Sequence, residues 1–249
     1  MKLAGNTVLI TGGSSGIGLA LAEAFLAAGS MVGICARSAD RLEAATAEHP
    51  ALRATVCDVS SEADRANLLA WAAVELPGLN LLINNAGVQR DIDFTQGLGE
   101  FLAGENEIRI NLEATILLSG LFIPTLATAA SAAIVNVSSG LGFAPMARMP
   151  VYAAAKAGVH AFSLALRRQL AKTAIKVFEI VPPAVDTALN PEGRAKRGNF
   201  KAGVTAEEFI AAVMPALAED RFEIGYGTSA GLLRASRDEL DARFEMVNR

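Results

Sequence analysis

The sequence predicts an α/β domain: a parallel, doubly wound sheet of about seven strands with helices on both faces. Three observations predict it. Short β-branched runs alternate with longer helix-forming runs along the whole chain, which is the pattern of βαβ units. The first run, Val8-Leu9-Ile10-Thr11, passes through Gly12-Gly13-Ser14-Ser15-Gly16-Ile17-Gly18 directly into a helical stretch. At 249 residues, 52% hydrophobic and 19% charged, the chain has the apolar content of one large core and too little charge for disorder. One domain over residues 1–249 is expected.

The elements follow in order. Val8 begins the first strand, and the helix after Gly18 closes at Gly29. Met31 to Ala36 is a second strand, followed by a helix from Ser38 to Glu48. Ala54 to Cys57 is a third strand ending at Asp58, and Ser61 with Asp64 caps a helix to Leu76. Leu79 to Ile83 is a fourth strand, running into Asn84-Asn85-Ala86-Gly87. A long helix from Glu105 to Ala127 is interrupted near Pro124, and its C-terminal half is apolar on nearly every face. Ala132 to Val137 is a fifth strand, delivering Ser138 and Ser139. Tyr152 to Ala171 is a second long helix, and Ile175 to Val181 a sixth strand. Residues 182–205 are too long for a plain connector, so a substrate lid is expected at about 187–205. Thr205 and Glu208 form a capping box for the next helix. Phe222 to Tyr226 is a seventh strand, with a charged amphipathic helix as tail.

Composition narrows the function. A net charge of −4 argues against nucleic acid as the main partner. Two cysteines, Cys35 and Cys57, make neither a disulfide framework nor a metal pair, and read as buried thiols in a reducing cytoplasm. No membrane partner and no metal is expected. The apolar window from Ala114 to Val135 carries Ser119, Pro124, Thr125, Thr128 and Ser131, so it reads as a buried helix and strand.

Glycines let a backbone turn sharply and approach a pyrophosphate, and a helix N-terminus offers free N–H groups. The spacing Gly12-x-x-x-Gly16-x-Gly18 therefore suits a phosphate site, although a plain strand-to-helix connector uses the same residues. Tyr152 and Lys156 stand four apart, on one helix face. A phenol with a pKa of about 10 is a poor acid–base at neutral pH. An ammonium at about 4–5 Å stabilises the phenolate by roughly 3–4 kcal/mol at a dielectric of about 20, which is expected to bring the phenol toward the working range. Ser139 stands at the C-terminal end of the fifth strand, the edge where open α/β sheets bind ligands.

With Thr11-Gly12-x-x-x-Gly16-x-Gly18, Asn84-Asn85-Ala86-Gly87, Asn111, Ser139 and Tyr152-x-x-x-Lys156, the chain resembles the short-chain dehydrogenase/reductase family over about residues 6–230. Cys57-Asp58-Val59, Gly87-Val88-Gln89, Ile92-Asp93-Phe94 and Pro182-Pro183-x-Val185-Asp186-Thr187 are similar to its bacterial DltE-like branch. The resemblance implies a Rossmann fold and NAD(P)(H)-dependent interconversion of a small-molecule carbonyl and alcohol. It implies Tyr152 as acid or base, Lys156 lowering its pKa and holding the nicotinamide ribose, Ser139 on the substrate oxygen, and Asn111 holding a relay water. Gly12, Gly16, Ile17 and Gly18 would line the pyrophosphate, together with Ser14 and Ser15. Asp58 and Val59 would meet the adenine, and Asn85, followed by Ala86 and Gly87, its ribose. Pro182, Val185 and Thr187 would stand on the nicotinamide side. Pro183 departs from the family's usual glycine, and Asn80 from its frequent acid.

NADP(H) is expected ahead of NAD(H), because Arg37 stands where an NAD site places a carboxylate. A nonenzymatic dinucleotide sensor on the same fold is the alternative. Gly12-Gly13-Ser14-Ser15-Gly16 also matches a hydrolase elbow, but no histidine follows His160, and His49 and His160 read as structural. Apolar outer faces on the two long helices predict a homodimer or homotetramer, since relatives of the family pair them across a two-fold axis. The pocket is expected between Ser139, Tyr152, residues 141–151 and the loop after Thr187. Phe143, Met146, Met149 and Leu189 would form apolar wall, and Gln89, Arg90 and Arg148 would reach the mouth. Arg194, Lys196, Arg197 and Lys201, opposed only by Glu192, are either a solvated face or a closure over an anionic substrate.

Overall fold

Alternate residues of a buried strand must enter different cores, and here they do. In the computed structural model, Val8 and Ile10 join one apolar cluster while Leu9 joins the other. The structure describes residues 1–196, 198 and 203–249, with Arg194 described by its backbone only. The expectations placed on Arg197, Lys201 and the side chain of Arg194 lie outside the described residues.

Seven strands form one parallel sheet: β1 (Thr7–Thr11), β2 (Met31–Ala36), β3 (Arg53–Val56), β4 (Leu81–Asn84), β5 (Ala132–Val137), β6 (Ile175–Val181) and β7 (Glu223–Gly225). Their order is β3-β2-β1-β4-β5-β6-β7. The direction of winding reverses between β1 and β4, which opens a crevice at their C-terminal ends. Helices α1 (Gly16–Ala27) and α2 (Ala39–Glu48) cover one face, where Phe25 and Leu42 are buried. Helix α3 (Glu62–Glu75) covers the other, and Leu68 packs there. A short helix α4 (Gly99–Leu102) follows β4. Helices α5 (Ala114–Leu126) and α6 (Pro150–Gln169) join α3, contributing Phe122 and Leu166. After β6 come α7 (Pro191–Lys196) and α8 (Ala206–Ala218), whose Phe209 joins the α1 face. Helices α9 (Thr228–Leu232) and α10 (Arg237–Val247) end the chain.

The expected elements are present, with three corrections. The long helix begins at residue 107 and is interrupted not at Pro124, which stands in its last turn, but by a π-turn over Arg109–Glu113. An extra residue in a turn rotates the side chains after it about the helix axis, and such turns gather at functional sites. The box at Thr205 is half made. Its hydroxyl accepts from the Glu208 N–H at 3.1 Å, but the Glu208 carboxylate accepts from the Tyr226 hydroxyl at 2.8 Å. The apolar helices are not buried all round either, because Ile116, Leu117 and Leu164 are each about 40% exposed.

Asn80 has a structural role. It accepts from the Thr7 N–H at 2.9 Å and donates to Asn6 and to the Ser131 carbonyl, latching the starts of β1 and β5 to β4. Among the described residues, no helix is long and apolar enough to cross a membrane.

Candidate active site

The site starts from a turn that only glycine can make. Gly12 has φ +65°, and a Cβ there would stand 2.8 Å from the Ala86 Cα. A Cβ at Gly18 would stand 2.2 Å from the Gly12 carbonyl oxygen, so this glycine lets α1 approach the turn. Thr11 joins the turn to β4: its hydroxyl accepts from the N–H groups of Asn85 and Ala86, each at 3.0 Å. The Asn85 amide donates back to the carbonyls of Thr11 and Gly12.

These residues border a cavity of about 590 Å³ at the sheet's C-terminal edge. Gly12, Ser14, Ser15, Gly16 and Ile17 line it, whereas Gly18 stands behind. Ser15 precedes α1 in extended conformation and makes no side-chain cap. The first N–H groups of that twelve-residue helix are thus left for a ligand. Arg37, Arg41, Asp58 and Val59 line one end. Asn85, Ala86, Gly87 and Gln89 line the middle. Ser139, Tyr152 and Lys156 face Pro182, Val185 and Thr187 toward the other end. A glycine cradle, an uncapped helix start and a long cavity reaching Tyr152 fit a dinucleotide. Pro183 also lines the cavity and costs the sheet nothing, because β6 has ended at Val181.

The electrostatics at Tyr152 differ from expectation. Burial pushes the phenol up to about 12, the hydrogen bond with Ser139 draws it down, and Glu107 pushes it up again. Lys156 does not reverse this. Burial lowers the ammonium to about 8, against an upward pull from Glu179. Its Nζ lies 5.7 Å from the Tyr152 ring centre and donates to the Val137 carbonyl at 2.8 Å. Desolvation of both groups outweighs the attraction that spacing alone suggested. In the chain by itself, Tyr152 is a protonated donor at neutral pH.

Asn111, within the π-turn, is fully buried and does not line the cavity. Both ends of its side-chain amide hold the Val88 backbone, at 2.8 Å each. Its own carbonyl accepts from the Thr115 hydroxyl at 3.0 Å. One turn earlier stands Glu107, which sequence reasoning missed. Its Oε1 accepts from the Arg90 N–H at 3.0 Å, and its buried Oε2 has no hydrogen-bond partner. Burial raises its carboxyl from the ordinary 4.5 to about 7. The signal available was the four-residue spacing from Asn111, which puts both on one helix face.

Other predicted residues part from the site. The Arg90 guanidinium turns to the carbonyls of Glu100, Phe101 and Glu105 instead of the mouth. Phe143 packs tilted against His160, with ring centres 4.5 Å apart, and does not line the cavity. His160 Nδ1 lies 2.7 Å from the buried Glu179 carboxylate, which raises the imidazole's pKa, and His49 pairs with Glu23. Both histidines are therefore occupied far from Ser14. Arg37 forms an ion pair with Glu105, both side chains being nearly half exposed. Such a pair is worth about 0–1 kcal/mol. Met146, Met149 and Leu189 line the cavity as expected.

Comparison with known proteins agrees with this geometry. The family model for short chain dehydrogenase matches residues 6–198. The chain is 46% identical over 248 residues to the uncharacterized oxidoreductase DltE of Bacillus subtilis (strain 168), covering 100% of this chain and 98% of that protein. A short-chain dehydrogenase from Sphingobium yanoikuyae in complex with NADPH superposes with a TM-score of 0.78 at 30% identity, covering 97% of this chain and 94% of that one. A short-chain dehydrogenase/reductase from Burkholderia phymatum in complex with NAD shares the fold, with a TM-score of 0.83 at 21% identity over 100% of this chain and 97% of that one. With the glycine turn, the sheet order and a family match that spans most of its length, this chain belongs to the short-chain dehydrogenase family.

Proposed function

We propose that the protein is an oxidoreductase using NADP(H), with NAD(H) as the weaker cofactor, to interconvert a small-molecule carbonyl and an alcohol. The observation that carries this reading is the placement of Ser139, Tyr152 and Lys156 in one cavity with the uncapped start of α1. The glycine turn and the α1 N–H groups hold the pyrophosphate, and Lys156 the nicotinamide ribose. Asp58 and Val59 border the adenine and Asn85 its ribose. A bound nicotinamide supplies or accepts the hydride.

The chain's own residues handle the proton. Ser139 orients the substrate oxygen and the phenol on one axis. A phenol pushed up to about 12 keeps its proton at neutral pH, which suits donation to the oxygen of a carbonyl under reduction. In the oxidative direction the same oxygen must lose that proton. Lys156, lowered to about 8, exchanges protons readily near neutral pH and lies beside the ring to replenish it. Asn111, which clamps the Val88 backbone at the middle of the cavity, supports a relay water.

The NADP(H) preference rests on Arg37 and on Arg41 beside it. A 2′-phosphate carries more charge than the Glu105 carboxylate it would displace, and a charge-assisted contact is worth about 1.5–3 kcal/mol. We further propose a homo-oligomer, a dimer or tetramer, formed through Ile116, Leu117 and Leu164, and a reducing cytoplasmic setting for the two buried thiols. Steady-state oxidation of NADPH and NADH with a panel of ketones and aldehydes tests the activity. Turnover with NADPH at higher catalytic efficiency than with NADH supports the whole reading. No turnover with either removes it.

A further inference from the structure

The chain is acidic, yet its cavity is cationic. Arg37, Arg41, Arg148, Arg243 and Lys156 line it against a single carboxylate, Asp58. A dinucleotide accounts for Arg37, Arg41 and Lys156, and Asp58 stands at the same end. Arg148 and Arg243 remain, beyond Ser139 and Tyr152, and no carboxylate among the described residues pairs with either.

The placement of Arg243 is a tertiary event. Helix α10 buries no side chain, so no core holds it. Two side chains hold it over the segment that carries Arg148. Phe244 borders a cleft with Pro145, Pro150 and Ala154. Asn248 accepts from the Ala147 N–H at 2.6 Å and donates to the Pro145 carbonyl at 3.0 Å. Arg243 and Val247, one turn apart, then face the cavity together. Arg148 is set from the opposite side, because its carbonyl accepts from the Ile92 N–H at 2.9 Å. The Arg243 guanidinium donates to the Met246 sulfur at 3.1 Å, a weak acceptor that leaves its charge unbalanced. Between the arginines and Tyr152 the wall is apolar, with Met146, Met149 and Leu232.

Two cations that line one cavity with no paired carboxylate favour an anionic oxygen group able to meet both. We propose that Arg148 and Arg243 form an anion subsite, so that the substrate is a carbonyl compound bearing a carboxylate or phosphate separated from the carbonyl by an apolar stretch. The proposal deepens the reading above and rests on it. It also makes α10 part of the site, because the tail then forms a wall of the substrate pocket, closed on the segment around Arg148.

The test compares matched pairs with NADPH: butanal against succinic semialdehyde, and 4-hydroxybutanal against its phosphate ester. The anionic member of at least one pair is expected to show kcat/KM at least tenfold higher, falling as ionic strength rises, and the better pair tells carboxylate from phosphate. Arg243→Gln and Arg148→Gln should each reduce the anionic-to-neutral ratio about tenfold or more, chiefly through KM. Arg221→Gln, on an exposed arginine paired with Glu219, should leave the ratio unchanged. Equal efficiency within both pairs, or a ratio that survives both substitutions, overturns the subsite and leaves the oxidoreductase reading standing. No turnover of any carbonyl overturns both.

Discussion

Asn111 holds Val88 by both ends of its side-chain amide, at 2.8 Å each, and so fixes the loop after β4 that lines the middle of the cavity. The π-turn over Arg109–Glu113 rotates this side chain onto the loop after β4. Asn111→Ala removes two hydrogen bonds to the half-buried Val88 backbone, each worth about 0.5–1.5 kcal/mol. Urea unfolding should show a loss of about 1–3 kcal/mol, with turnover reduced further than stability alone explains. A variant as stable and active as the parent would show that the clamp is idle.

Glu107 gives the fold a pH dependence with a definite sign. Its carboxyl is raised from 4.5 to about 7, so between those values the native chain keeps a proton that the unfolded chain has lost. Stability is then full below about 4.5 and falls as pH rises to about 7, by about 3 kcal/mol in total. Glu107→Gln keeps the acceptor for Arg90 and cannot ionise. Denaturation curves of the two proteins should converge near pH 4.5 and separate by about pH 8, the Gln variant being the more stable. Parallel curves across that range would sink the assignment.

Tyr152→Phe removes the proton donor and little else. Turnover should fall by at least about a hundredfold, the lower bound of general acid catalysis, while NADPH binding measured by fluorescence changes little. Lys156→Met should lower both. A Phe variant that keeps more than a tenth of the activity is incompatible with the proposed chemistry.

In the proposed cofactor site, Glu105 would compete with a 2′-phosphate for Arg37. Glu105→Gln should therefore tighten NADPH binding several-fold and leave NADH unaffected. Arg37→Ala should weaken NADPH about ten- to a hundredfold. Equal effects on both cofactors in calorimetry would place the 2′-phosphate elsewhere.

Ile116 and Leu117 on α5 and Leu164 on α6 are each about 40% exposed, and the proposed assembly covers them. Sedimentation at micromolar concentration should show a dimer or tetramer, and Leu117→Glu should shift it toward monomer. A parent protein that sediments as a monomer refutes the assembly.

The alternation of strands and helices was legible because it rests on neighbours in the chain. Val8, Leu9 and Ile10 alternate between two cores, Ser61 caps α3, and Gly12 and Gly18 permit one turn that other residues forbid. The spacing of Tyr152 and Lys156 is local in the same sense, one helical turn. The environment of those groups is not local. Burial lifts Tyr152 to about 12 and lowers Lys156 to about 8, because desolvation depends on every element packed around them. Glu107 escapes a reading of the sequence for the same reason, as a carboxylate in a polar stretch looks solvated until the loop after β4 covers it. Arg90 does not stand at the mouth where the sequence suggested it, and Arg243, for which the sequence suggested no role, lines the cavity. Arg90 found the carbonyls of Glu100 and Phe101 close by, while α10, distant in sequence, brought Arg243 to the cavity. Local propensities set the strands, turns and caps, and the meeting of remote surfaces set the charges of the site.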